Sequence, residues 1–262
     1  MPHGPVDARW WNPAPADWVS WDFAWCELSP DRPPPPGAAE LAIVPHQPEG
    51  FSVIDRTARS TVLHLPEPLS EAGLVHPYVG TTVAIRALWE GWQSFHAGSV
   101  LIDGAVWALL GEREHGKSSA VAWLAKHGVP VFTDDVLVIR DGTALAGPRA
   151  LDLRQPASEH FGLGSSIGVV GTRERWRHHL GPVPAEAPFG GFVALEWHPE
   201  VEVRPVPAAD RLRALGKAAS LIAPGTELAW LDLISFPMLA LRRPMSWGAI
   251  DRAMTALLAA LG

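Results

Sequence analysis

Residues 107–135, WALLGEREHGKSSAVAWLAKHGVPVFTDD, decide how this chain is read. They hold an apolar run, Trp107 to Leu110, and a loop that fits G-x-x-x-x-G-K-[ST] at Gly111, Gly116, Lys117 and Ser118. A helix-like segment follows, then a second apolar run and the acidic pair Asp134 and Asp135. Strand, phosphate loop, helix and carboxylate-bearing strand in that order are the parts of a nucleoside-triphosphate site.

Each part has its own physical reason. A loop feeding a helix start presents unpaired backbone amides and the positive end of the helix dipole to phosphate oxygens. The expected cradle is Gly111, Glu112, Arg113, Glu114, His115, Gly116, Lys117, Ser118 and Ser119. Lys117 would add a mobile cation, Ser118 a hydroxyl ligand for Mg2+, and the aspartates would complete the metal shell or take a proton from an attacking hydroxyl. With 24 Gly and only three Lys in 262 residues, the loop pattern should arise by chance in roughly a few such chains in a thousand. The commoner form of the loop has Gly at its fourth position, where Glu114 stands here. A carboxylate there repels phosphate unless it is turned away.

Upstream, the apolar runs Phe95–Ile102 and Ala105–Leu110 are joined by Asp103-Gly104, a hairpin signal. That puts His96 at the far end of the strand paired with the one entering the loop. Whether it lies at the same edge of the sheet as the loop stays open. Ile85, Leu88, Trp89 and Trp92 predict an amphipathic helix over Thr81–Trp92. Residues 1–80 read as a β-rich, Trp-rich lobe and 81–262 as a phosphate-loop kinase domain. The lobe should hold strands near Leu41–Val44, Phe51–Ile54 and Ser60–Leu65, with His64 structural. Five Trp (Trp10, Trp11, Trp18, Trp21, Trp25) read most simply as packing, and Pro33–Pro36 as an extended connection.

Downstream, the helix after the loop should close at His127-Gly128. Val129–Phe132 should form the carboxylate-bearing strand and Val136–Arg140 lead into a turn at Asp141-Gly142. Gly162–Gly171 reads as flexible, and Thr172–His179, with three Arg and two His, as a mobile lid or a solvated basic turn. Further strands are expected at Phe192–Trp197 and Val201–Val206, a helix at Asp210–Ile222, and a last helix capped by Ser246, with Arg242 and Arg243 before it read as surface residues in preference to substrate contacts.

A net charge of −7 without a basic cluster argues against nucleic-acid binding. Cys26 is the sole cysteine, so no disulfide framework or Cys-based zinc site exists, which suits a reducing cytoplasm. The N-terminal stretch lacks a signal-peptide pattern, and no apolar run reaches membrane-span length, so a soluble cytoplasmic protein with no membrane partner is expected. A homo-oligomer stays open.

Together, His96-Ala-Gly, GEREHGKSS and HGVPVFTDDVLVIR resemble the catalytic core of the HPr kinase/phosphorylase family, over about Phe95–Arg154, a quarter of the chain. The Trp-rich β region and the helix before His96 are similar in layout to smaller HPr-kinase-related proteins found with peptide-modifying enzymes, lasso-peptide tailoring kinases included. The resemblance implies an α/β fold with a P-loop kinase core of the HPr kinase and phosphoenolpyruvate carboxykinase type. It also implies a serine kinase using ATP and Mg2+, with Asp134 as base and His96 close by. Asp135 would support the base or hold Mg2+ with Ser118. Leu151-Asp152-Leu153-Arg154 stands where the family has Leu-Glu-Ile-Arg, which would make Asp152 a second metal ligand. Gln155 replaces the Gly that follows that motif, so phosphorylase activity and HPr as substrate fall outside the expectation. The expected reaction transfers the γ-phosphoryl group of ATP to a Ser of a peptide or small protein, a ribosomally made precursor among them. Two alternatives stand beside it: a kinase of small hydroxylated metabolites, and a nucleotide-dependent binding module in which Glu114 has weakened catalysis.

Overall fold

A computed structural model of the chain describes residues 12, 15–16, 18, 20–29, 39–46, 49–68, 73–221 and 226–262. Trp10, Trp11 and the Pro33–Pro36 connection lie outside the described residues. The fold is mixed α/β, with three sheets among the described residues. The first is small and four-stranded: β1 (Asp22–Glu27), β2 (Leu41–Pro45), β3 (Phe51–Asp55) and β4 (Ser60–Leu65), in the order β1-β4-β3-β2. Thr61, Leu63 and Leu65 share its buried face, as the period of two requires. The sequence reading had no strand at β1, which pairs parallel with β4. A π turn, Leu74–Tyr78, then leads into α1 (Val79–Trp89), which starts and stops earlier than the apolar spacing suggests. Gly91, at φ 74, ends it in the left-handed conformation that glycine takes most readily.

The central sheet is built from β5 (Gln93–His96), β6 (Gly98–Ile102) and β7 (Ala105–Leu110), then, after α2 (Lys117–Lys126), from β8 (Val131–Thr133), β9 (Val136–Arg140) and β10 (Thr143–Leu145). The expected run Phe95–Ile102 is two strands, not one. Gln93–His96 pairs with β9 and Gly98–Ile102 with β7, because the chain turns at Ala97, whose amide donates to Asp135 O at 3.0 Å. Both Asp-Gly hairpins form, with φ of 48 and 79 at Asp103-Gly104 and 49 and 74 at Asp141-Gly142. Two consecutive left-handed residues make the tight turn that matches strand twist.

Next come β11 (Ala150–Leu153), α3 (Gln155–Phe161), β12 (Ser165–Val170) and β13 (Arg173–His179). They correct the reading of 162–179 as a flexible stretch with a mobile lid or basic turn: β12 and β13 form a hairpin inside a three-stranded sheet, order β11-β13-β12. The chain closes with β14 (Glu186–Trp197), β15 (Glu202–Pro205), α4 (Ala208–Ala218), α5 (Thr226–Leu233), β16 (Met238–Arg243) and α6 (Ile250–Leu261). β14 joins the two halves of the central sheet. Its first residues pair with β10, and from Phe189 onward it lies parallel to β7, then to β16. The register shifts between Phe189 and Gly191, where a side chain would stand 2.4 Å from Pro237 O, so only glycine fits.

Alternation along β6 and β7 sets the two faces. Val100 and Leu109 point into a core shared with α2 and α6, including Val121, Leu124, Met254 and Leu257. Val106, Ala108 and Leu110 point the other way, against Phe95, Phe132, Phe192, Leu215 and Trp230. Helices therefore cover both faces of the central sheet. No helix among the described residues is long and apolar enough to cross a membrane.

One buried cation fastens β8 to its surroundings. Arg149, 2 % exposed, donates to the carbonyls of Val131 and Phe132 on β8 and to Gly181. Removing it would leave those oxygens buried without donors, at about 1–3 kcal/mol each. Arg149→Met is expected to lower unfolding free energy by about 3 kcal/mol or more. A urea midpoint unchanged from wild type would show that water replaces the guanidinium.

Candidate functional site

Four parts of the chain converge at one end of the central sheet: the loop leaving β7, the end of β8, the end of β5 and the start of α1. The loop spans Gly111 to Gly116 and delivers Lys117 as the first residue of α2. Gly116 is left-handed, at φ 75, and a Cβ there would lie 2.6 Å from Arg243 Nη2. Ala120 N–H, bonded to Gly116 O at 2.9 Å, closes the first turn, so the amides just before it have no acceptor within the helix. Lys117 Nζ donates to Gly111 O at 2.6 Å and to Glu112 O at 3.4 Å. Burial lowers its pKa, and the charges of Asp135 and Asp134 oppose that shift.

Glu114 is left-handed as well, at φ 71, a conformation that costs a residue bearing a Cβ about 1 kcal/mol or more. This is the backbone reason that glycine is at home in the fourth position. Its carboxylate meets Arg154, with both guanidinium Nη atoms 3.4 Å from Oε1. Glu112 is held by Lys217 at the end of α4, at 2.6 Å. Arg113 is exposed. His115 bonds through Nδ1 to Leu195 O at 3.1 Å. Ser118 and Ser119 follow Lys117 in the first turn of α2.

Beneath the loop lies Arg243, which the sequence reading placed on the surface. It is 3 % exposed, donates through Nη2 to His115 O and Gly116 O at 3.1 and 3.3 Å, and stacks on Trp197 at 4.5 Å. Burial lowers its pKa to about 10. The clue was the alternation of MLALRR, which puts Arg243 on the same strand face as Leu239 and Leu241. Arg242, by contrast, is paired with Glu196 and Glu202.

The aspartates leave β8 side by side in different environments. Asp134 Oδ2 accepts the Asp152 amide at 3.0 Å, while its Oδ1 is shut off from solvent and has no partner. Burial is the main cause that raises this carboxyl to about 7. The Asp152 amide opposes the rise, and the charges of Asp135 and Asp152 add to it. Burial would raise Asp135 too, but two imidazoles reverse it and hold that carboxyl well below the usual range. His96 Nδ1 lies 3.1 Å from Oδ1 and His76 Nδ1 3.4 Å from Oδ2. His96 is thus at the same edge as the loop. The α1 start closes in from the other side, where a Cβ on Gly80 would stand 3.0 Å from Asp135 Oδ2.

His76 was missed by sequence reading; it lies in a turn 59 positions before Asp135, and no local pattern marks it. Asp152 is placed near Asp134 but does not offer free oxygens. Arg177 grips it through Nε–Oδ1 and Nη2–Oδ2 contacts of 2.6 Å each, with both side chains buried. No cluster of three or more His, Cys, Asp or Glu arranged for a metal ion occurs among the described residues. As to Mg2+, Asp135 could offer an oxygen only once an imidazole yields it, and Asp152, with both oxygens held by Arg177, does not fit.

Asp134, Asp135 and His76 line a cavity of about 610 Å³ that extends under the small sheet, with Trp21, Arg59 and Arg86 in its far wall. That volume is in the range of small-molecule sites.

No family model matches the chain, and no curated protein matches it. Among solved structures it is similar to the Hpr(Ser) kinase/phosphatase from Coxiella burnetii, at 14% identity and a TM-score of 0.30, over 64% of this chain and 97% of that one.

The raised Asp134 carboxyl has a consequence for stability. Folding favours its protonated form, so this cost is absent below the unfolded pKa near 4 and complete above about 7, reaching about 4 kcal/mol. Stability should therefore fall as pH rises through that window. In metal-free protein, Asp134→Asn should flatten the fall and leave the variant more stable than wild type at pH 8. Parallel urea curves for the two proteins at pH 5 and pH 8 would refute this assignment.

Proposed function

We propose that this chain is a P-loop kinase that transfers the γ-phosphoryl group of ATP to a hydroxyl, with a Ser of a peptide or small protein as acceptor. One observation carries the reading: a glycine-flanked loop with Lys117 at a helix start shares one sheet end with Asp134, which lines a cavity and keeps one carboxylate oxygen without a partner. Bound ATP and Mg2+ would supply the phosphoryl group and neutralise its charge.

The chain's own residues have separable tasks. Amides of the loop and of the first turn of α2 would hold the phosphates, with Lys117 leaving its two carbonyls to join them. Arg243 keeps the loop in shape through the carbonyls of His115 and Gly116. Ser118 and Asp135 would hold the metal. The Asp134 carboxylate would take the proton of the acceptor hydroxyl as the hydroxyl oxygen bonds to phosphorus and ADP departs. A base with a pKa near 7 suits work at neutral pH. His96 and His76 hold Asp135 in place, and the charge of His76 partly offsets the effect of Asp135 on Asp134. A small hydroxylated metabolite is the second reading for the acceptor, favoured by the volume of the cavity.

Calorimetry of ATP with Mg2+ should show saturable binding that Lys117→Ala abolishes. Asp134→Asn should keep that binding and lose phosphoryl transfer by about 10²–10⁴-fold in single turnover. Full transfer by Asp134→Asn would remove the base assignment, and a folded wild type that binds no nucleotide would remove the kinase reading.

A further inference from the structure

The cavity is lined by four arginines along with Glu90 and the aspartates, and two of the arginines are already engaged. Arg56 meets Glu40 and Glu90 and donates to Trp89 O, and Arg140 is 2.7 Å from Glu186. Arg59 and Arg86 have no hydrogen-bonded carboxylate among the described residues. Burial lowers the pKa of Arg86, Glu90 in the same lining raises it, and the charge of Arg59 lowers it further, so the two guanidiniums are near neighbours. Two like charges beside one cavity repel, and a bound anion would remove that cost.

The wall is also built in place. Arg86 lies over the Trp21 ring at 5.5 Å. The Trp21 indole N–H donates to Thr61 Oγ1 at 2.9 Å, and Thr61 in turn bonds to Thr82, one helical turn before Arg86 on α1. Both threonines are buried. Such a chain of contacts fixes an aromatic ring and the cation above it. Arg59 occupies a left-handed turn position, at φ 53, where a side chain brings no backbone advantage.

We propose that Arg59 and Arg86 form an anion subsite for the acceptor, so that the molecule phosphorylated at Asp134 carries a carboxylate at a set distance from its hydroxyl. This rests on the kinase reading for the reaction, though not for the binding. Helix α1 sets the distance. Gly80 abuts Asp135 at its start, and Arg86 lies six residues on, which is about 9 Å of axial rise. In an extended peptide at about 3.3 Å per residue, that places an acidic group two or three residues from the Ser. A hydroxy acid of similar span offers the same chemistry, whereas free serine is too short.

The test uses calorimetry without nucleotide. Its probes are Ser peptides with one Glu placed one to five residues away, their Gln counterparts, and hydroxy dicarboxylic acids of graded length. Wild type should bind a probe of the stated span at least about tenfold more tightly than its neutral counterpart. Arg59→Gln, an exposed position that the fold does not need, and Arg86→Gln should each erase most of that preference. Which series binds identifies the source of the carboxylate. If no carboxylated probe binds at millimolar concentration, or if both variants keep the preference, the subsite is overturned. Phosphoryl transfer assayed on the same probes separates the two proposals. Carboxylate-dependent binding without transfer removes the kinase reading alone, and equal transfer to charged and neutral probes removes the subsite alone.

Discussion

Two adjacent carboxylates in one shielded corner cannot both keep their charge cheaply. The end of β8 resolves this by unequal treatment. Asp135 receives an imidazole on each oxygen, from His96 and His76, and stays ionised. Asp134 receives one amide and no cation, and becomes the weak acid of the pair. The surrounding fold answers to that asymmetry: β5 must end where His96 reaches Asp135, α1 must begin with a residue as small as Gly80, and β11 must bring the Asp152 amide alongside.

The loop shows the same dependence on neighbours. Its strand and helix are local matters, but its curvature is maintained from outside. Arg243 fills the space under Gly116, and the two loop glutamates are tied to Lys217 and Arg154. Arg177 plays a comparable part behind the aspartates, where it satisfies both oxygens of Asp152 deep in the protein. A buried pair of this kind gives little net stability, but losing one partner is costly, so it constrains position more than energy.

Features that short-range chemistry dictates were legible in the chain. The loop, the helix after it and the Asp-Gly hairpins each follow from a few neighbouring residues and formed where expected. His96 was legible as a candidate, though its edge was not, because strand pairing across β5 and β9 decides it. His76 and the Asp152–Arg177 pair depend on contacts between segments 59 and 25 positions apart, which no periodicity reports, whereas the strand alternation did mark Arg243. The stretch 162–179 misled for a physical reason. Glycine and serine weaken a strand in isolation, yet β12 is supported by β13, and β13 by β11.

The loop and the cavity wall draw on different parts of the chain. The loop that would hold a nucleotide is built from β7, α2 and β16, while the far wall of the cavity comes from the small sheet and α1. These are separate stretches of sequence, and α1 reaches the aspartates where Gly80 abuts Asp135. A substitution at Arg59 or Arg86 therefore alters the wall without changing any residue of the loop.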